Sequence, residues 1–488
     1  MPEMRDAAHA DFGCEGSVMR PVHIIAIAGT LVLAGCGRAP RDGGFSEVQK
    51  MVDERAGLTV RWDQGSAEDA EAQRSVEDLL AKELSAESAV QIALFNNPQL
   101  QATFEDLGLA QADLIRAGAL RNPMLSADVL FFANGPATVE FSLVQNLIDL
   151  VALPRRKRLA ASALAAAKLR VADAVLGLAQ DVRVAFYRLQ TATQTLEMRR
   201  TVVQASAAAY ELAKRLRAAG NTTALDLAQE QDVLEQAKLD LASAEVEVAD
   251  QRERVNILLG LWGPQSATWQ PVARLPDLPA DELPLGDLER RAISANLGLA
   301  IIREEITSNA QRLGVSRPFA IADETVVGVG ATREREGDWG VGPAIALPVP
   351  ILNQGQGAVA AARSDLRRSQ QRYAAEAIAV RAGVRMARAR FIAARERVVY
   401  LRQVLLPLRQ RILAETQKQY NGMLASPFQL ILAKQKQIEA GALYVQAAGD
   451  YWVARSGLLQ ILSGGSSPGS TESAGSATLI RSGGQGGH

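Results

Sequence analysis

The chain has 488 residues, of which 48% are hydrophobic, 22% charged and only 5% aromatic, with a formal charge of -1. That is ample material for a large ordered structure, and abundant Ala, Leu, Gln and Arg with few aromatics favours long helices. The near-zero charge leaves no basic excess to hold a polyanion, so nucleic acid is excluded as a natural partner.

The first compact apolar run extends from Val22 to Cys36 behind Arg20. It is too short to span a bilayer as a helix and has the make-up of a secretion signal's hydrophobic region. Leu33-Ala34-Gly35-Cys36 resembles a bacterial lipobox, in which Cys36 would be lipidated and become the first mature residue. Residues 1–35 are therefore read as a signal peptide, with Met19 as the alternative start because the segment before it is acidic and carries Cys14. The competing reading is a chance cysteine beside an uncleaved apolar segment. Gly37 is not the aspartate associated with inner-membrane retention of lipoproteins, which favours the outer membrane.

The histidines are His9, His23 and His488, so the mature body holds no internal imidazole. Its one cysteine would be lipid-bound. No Ser-His-Asp triad, Cys-His pair, His/Cys metal cage or structural disulfide can be assembled, and neither a catalytic residue nor a resident metal or cofactor is expected. The scattered carboxylates read as a solvated helix face.

A polar segment, 36–84, precedes two similar halves, 85–262 and 285–462, joined by a linker at 263–284 and followed by a Gly/Ser-rich tail, 463–488, read as disordered. In the first half, a helical pattern runs from Ser85 to about Leu120 and stops at Asn122-Pro123. Residues 125–133 and 137–145 read as strands around a turn at Asn134-Gly135-Pro136, with Val139, Phe141 and Leu143 alternating with Glu140 and Ser142. From Pro154 to Arg217 a single helix of about 65 residues is expected, about 95 Å long. Val175, Val182, Leu189, Leu196, Val203 and Tyr210 keep a seven-residue spacing on it, with Leu178, Ala185 and Ala192 beside them, as a coiled-coil seam requires. A turn at Gly220 to Thr223 leads to a return helix, Ala224 to about Leu261, on which Ala242, Ala244 and Ala249 would permit close approach.

The second half repeats the order. A helix is expected from Leu285 to about Gly314, then strands at 324–332 and 342–348 around a charged loop. A long helix follows Pro350 to Gly357 and reaches Tyr420, with Val384, Phe391, Val398, Leu405 and Ile412 in heptad spacing. Pro407 lies inside it, and an interior proline typically costs about 3 kcal/mol, so a kink or local break is expected there. The turn at Gly422 to Ser426 precedes a return helix from Pro427 to about Leu462.

The order of elements, the Ala-Val-x-x-Ala-Leu-x-x-Asn-Pro-x-Leu pattern from Ala89 to Leu100, the Pro350 to Gly357 segment and Tyr420-x-Gly422 resemble the TolC family of outer-membrane efflux proteins across roughly Leu84 to Leu462. The resemblance implies a mainly α fold with a small β part: four strands and long coiled-coil helices per protomer, assembled as a homotrimer with a β-barrel above an α-helical barrel. It implies a passive conduit for small solutes, heavy-metal ions or drugs, in the outer membrane of a Gram-negative bacterium. Its partners would be outer-membrane lipid, a periplasmic adaptor (membrane fusion protein) and an inner-membrane RND pump. The family closes its pore at the periplasmic turns, here 217–226 and 419–429, which makes Asp226, Tyr420 and Asn421 gate candidates. Asp226 is equally read as a carboxylate at a helix N-terminus, and the matching Ala425 to Gln429 carries no charge. The Pro154 to Arg158 basic cluster is either solvated or a contact to lipid phosphate. The rival class is a lipid-anchored periplasmic adaptor or structural coiled-coil protein, which would not need two amphipathic strand pairs.

Overall fold

A computed structural model describes residues 42–132, 137–146, 148–280, 283–322, 325–333, 337–346, 349, 351 and 354–465. Cys36, the Asn134-Gly135-Pro136 turn and nearly all of the Gly/Ser tail lie outside them. The segment before Ser85 is not merely polar. It contains α1 (Phe45–Ala56) and α2 (Ala67–Leu80), and α1 buries Phe45, Val48 and Val52. Those three residues follow helical spacing and plug the apolar face of α1 into the core.

A two-residue strand β1 (Glu83–Leu84) leads to α3 (Ala86–Asn96) and α4 (Pro98–Gly118). The helical pattern read as continuous is broken at Asn97, because Pro98 supplies no N–H and disfavours helical geometry in the residue before it. The break becomes a start: the Asn97 side chain accepts from Leu100 N at 2.9 Å, and Pro98 occupies the first helical turn. Strands β2 (Met124–Leu130) and β3 (Thr138–Asn146) follow.

Helix α5 (Ile148–Ala218) has 71 residues, about 105 Å of rise, and begins before Pro154 rather than after it. Pro154 sits in its second turn. Helix α6 (Ala224–Leu259) returns along it, and a short α7 (Gln265–Thr268) and β4 (Gln270–Pro271) complete the first half, β4 pairing in parallel with β1. The second half repeats the plan with α8 (Leu288–Ala295), α9 (Leu297–Ala322), β5 (Val326–Arg333) and β6 (Trp339–Ala346). Helices α10 (Gln356–Tyr400), α11 (Leu406–Asn421) and α12 (Pro427–Ser463) close the chain.

The heptad seam of α5 is buried as its spacing requires: Val175 and Val182 are fully covered, Leu189 and Leu196 nearly so, and Val203 and Tyr210 half-buried. On α6, however, Ala242 and Ala249 are exposed and Ala244 is half-buried. The close approach occurs instead between α5 and α12, where a Cβ on Gly449 would run into the Thr191 side chain.

Helices α10 and α11 are separated by a π-helical turn, Leu401–Leu405, in which Leu406 N donates to Leu401 O. Pro407 does not break the helix outright. The ring removes the N–H that residue 403 would receive, and the turn before it widens by one residue. The heptad register changes with it: Val384, Phe391 and Val398 are buried, but Ile412 rotates out to 39% exposure and Leu413 turns inward.

Candidate functional site

Strands β2, β3, β5 and β6 form one antiparallel sheet in the order β2-β3-β5-β6, so each hairpin contributes an adjacent pair and the β3–β5 pairing joins the halves. Side chains alternate across a sheet, and the register therefore sorts them into two faces. One face carries Leu125, Val129, Phe141, Leu143, Val329 and Val341, with the Phe141 ring stacked on Trp339 at 6.0 Å. The other carries Ser126, Asp128, Glu140, Ser142, Thr332 and a run of glycines and alanines. Ser126 and Ser142 share a 2.6 Å hydrogen bond across β2 and β3, and Asp128 lies directly opposite Glu140. Like charges in that position are destabilising by a few tenths to about 1 kcal/mol unless water or another charge relieves them, so this face belongs in water. The apolar face is not covered by any other part of the described chain: Val341 is 71% exposed and Leu125 73%. Strands β2 and β6 each have a neighbour on one side only among the described residues.

A groove of about 1270 Å³ lies between the middle of α5, the C-terminal parts of α6, α10 and α12 and the first turns of α4. Asp173, Asp181, Arg188, Arg390, Arg397 and Asp450 reach it, giving a surface of mixed charge. Arg397 and Asp450 face each other at 3.9 Å. Desolvation raises the Asp181 carboxyl above the ordinary carboxylate value. Beside the groove, Glu376 is raised by burial first and then by the charge of Asp173. Among the described residues no group of three His, Cys, Asp or Glu side chains could hold a metal ion, and no helix is long and apolar enough to cross a membrane.

At the far end of the hairpins the two turns are built alike. Helix α5 ends with Asn221 N donating to Leu216 O around Gly220, whose φ is +78°; α11 ends with Leu424 N donating to Gln419 O around Met423, whose φ is +60°. Both are 6→1 helix terminations with a left-handed residue. Three residues later each chain re-enters a helix through a capping box, Thr223 with Asp226 and Ser426 with Gln429.

Asp226 accepts from Thr223 Oγ1 at 2.6 Å, Thr223 N at 3.0 Å and Thr222 Oγ1 at 3.0 Å. The Thr223 hydroxyl foremost holds its carboxyl below the usual range. Tyr420 is 39% exposed, and Asn421 Oδ1 accepts from Gln417 Nε2 at 3.0 Å. The structure thus gives Asp226 a capping duty in one turn and places Tyr420 and Asn421 in the other. Sequence reasoning missed Met423 and Leu424, 95% and 83% exposed at the second turn. Their pairing with Gly220 and Asn221 by position was the available signal.

Open-edged amphipathic strand pairs on long helical hairpins, present twice in one chain, give this chain the fold of the TolC-type outer-membrane channels. The chain is similar to the cobalt-zinc-cadmium resistance protein CzcC of Cupriavidus metallidurans, with 26% identity over 333 residues, 66% of this chain and 77% of CzcC. In fold it is similar to the CmeC outer-membrane channel of Campylobacter jejuni (TM-score 0.67, 15% identity, 81% of this chain and 89% of that one). It is likewise similar to CusC, whose structures describe folding and transmembrane channel formation (TM-score 0.64, 16% identity, 79% and 93%). No protein-family model matches the chain.

Proposed function

We propose that this chain is the outer-membrane channel subunit of a tripartite efflux system, a passive conduit for small solutes rather than a catalyst. The four-stranded sheet carries the reading. Lipid cannot satisfy the open N–H and C=O groups of its two edges, so a single copy cannot stand in a membrane. Closure with the sheets of two further copies makes a twelve-stranded barrel, wider than the side-chain-filled barrels of eight strands. Strands of eight residues rise about 26 Å, close to the height of the apolar band of such barrels. The apolar face then meets lipid, and the face of Asp128, Glu140 and Ser142 lines water.

In this assembly the helical hairpins continue the barrel into the periplasm, and the turns around Asp226 and around Tyr420 and Asn421 form the end where the pore closes and where a periplasmic adaptor and inner-membrane pump engage. Cys36 serves as the lipid attachment site. A lipid-anchored adaptor would have no use for a sheet with one face fit for lipid.

CzcC is a cobalt-zinc-cadmium resistance protein, and we assign divalent transition-metal ions as the cargo on that likeness. Deleting the gene in its own host should lower the concentrations of cobalt, zinc and cadmium that arrest growth by several-fold, with plasmid-borne protein restoring them. Unchanged metal tolerance, with new sensitivity to organic drugs, would move the cargo to the other class.

A further inference from the structure

The two junctions where a return helix ends against the start of its own half are built on one plan, and each leaves different carbonyls to be satisfied. In the first, α6 ends at Gly260 (φ +69°), with Leu261 N donating to Asn256 O. In the second, α12 ends at Gly464 (φ +96°), with Gly465 N donating to Gln460 O. Both glycines abut the backbone carbonyl of an equivalent residue, Asn96 in the first junction and Ala295 in the second, where a Cβ would collide. Asn97 and Asn296, one residue on, cap the next helix identically, through Leu100 N and Leu299 N. The terminal carbonyls of a helix have no partner within it and must find one elsewhere.

In the first junction Pro98 has no N–H to offer, and the Asn96 side chain does both tasks: its Nδ2 donates to Leu259 O at 2.9 Å and to Gly260 O at 3.1 Å. In the second, Leu297 stands where Pro98 does, and its N–H takes Gly464 O at 2.8 Å. That leaves Ser463 O, the counterpart of Leu259 O, without the donor that Asn96 supplies, because Ala295 stands in that place and has no side-chain donor. The gap is filled from outside the repeat. Arg55, in the last turn of α1, donates through Nη1 to Ser463 O at 3.1 Å and to Ala295 O at 2.5 Å. Burial lowers the guanidinium's pKa, so its desolvation is set against these charge-assisted bonds. At its other end α1 is fixed to the first half by buried Phe45, Val48 and Val52 and by the Lys168–Glu47 pair at 2.7 Å.

We infer that Arg55 is a positioning residue that supplies the helix cap missing from the second half, and that α1 thereby staples the two halves at their junctions. Asn96 and Arg55 are two solutions to one problem, so the solutions are exchangeable. Hydrogen exchange on the full chain tests this. Arg55→Ala should raise amide exchange at 295–299 and 461–465 at least tenfold and leave 256–261 unchanged. Adding Ala295→Asn to that variant should restore most of the protection, because it rebuilds the first junction's cap in the second. If Arg55→Ala fails to fold, recovery of folded protein in the double variant reads the same way. Unchanged exchange at 461–465 in Arg55→Ala, equal loosening of both junctions, or no recovery with Ala295→Asn would each overturn the assignment.

Discussion

At the residue scale the molecule's duplication is clearest where side chains serve the backbone. Gly220 and Met423 hold the same left-handed position, but only glycine adopts it without cost. Gly220 has open space around the site of a Cβ, so Gly220→Ala should lower stability by about 1 kcal/mol through conformation alone, read as a shift in the thermal midpoint. Loss of several kcal/mol would mean a packing role that the turn does not have. The Thr223-x-x-Asp226 cap was legible as a sequence pattern, whereas the strained residue was not, because Gly422 stands beside Met423 and offers itself as the turn glycine.

Glu376 gives the pH-dependent case. Burial and the charge of Asp173 raise its folded pKa above the ordinary 4.5, so the carboxyl favours folding fully below 4.5 and that contribution is lost as pH rises through the folded value. Glu376→Gln should therefore be more stable than the native chain at pH 7, with the difference closing on acidification below 4.5. A difference that widens in acid would reverse the sign and contradict the burial argument.

At the scale of elements, long periodic segments were the most readable, because a seam of seven-residue spacing from Val175 to Tyr210 inside a 71-residue helix leaves few alternatives to a helix packed on a helix. The two faces of the first hairpin were legible through alternation, whereas the pairing of β3 with β5 was not, because alternation assigns faces and not neighbours. Helix α1 was not, since the residues it buries are three among many polar ones. Nor was the π turn, because a sequence keeps its heptad count through Pro407 while the backbone does not. The consequence is measurable: Phe391→Ala, in the fully buried part of the seam, should cost about 3–5 kcal/mol. Ile412→Ala, three heptads later but turned outward, should cost about 0.5 kcal/mol or less in denaturant unfolding of the chain. Equal costs would place Ile412 back in the seam and remove the register change.

For the whole molecule, the proposed function rests on closure of an amphipathic sheet that has open edges on β2 and β6 in one chain. Strands β2 and β6 lie on opposite edges, three strand spacings or about 14 Å apart, too far for a disulfide within one chain. A cysteine in β2 at Val129 combined with one in β6 at Val341 can therefore join only β2 of one copy to β6 of another. The decisive measurement is the mass of such oxidised double-cysteine variants, scanned along both strands and extracted from outer membranes. A covalent ladder that stops at three chains, with the closed ring as the largest species, is the predicted result. Monomers at every register, or a ladder that continues without limit, would contradict the barrel and with it the channel.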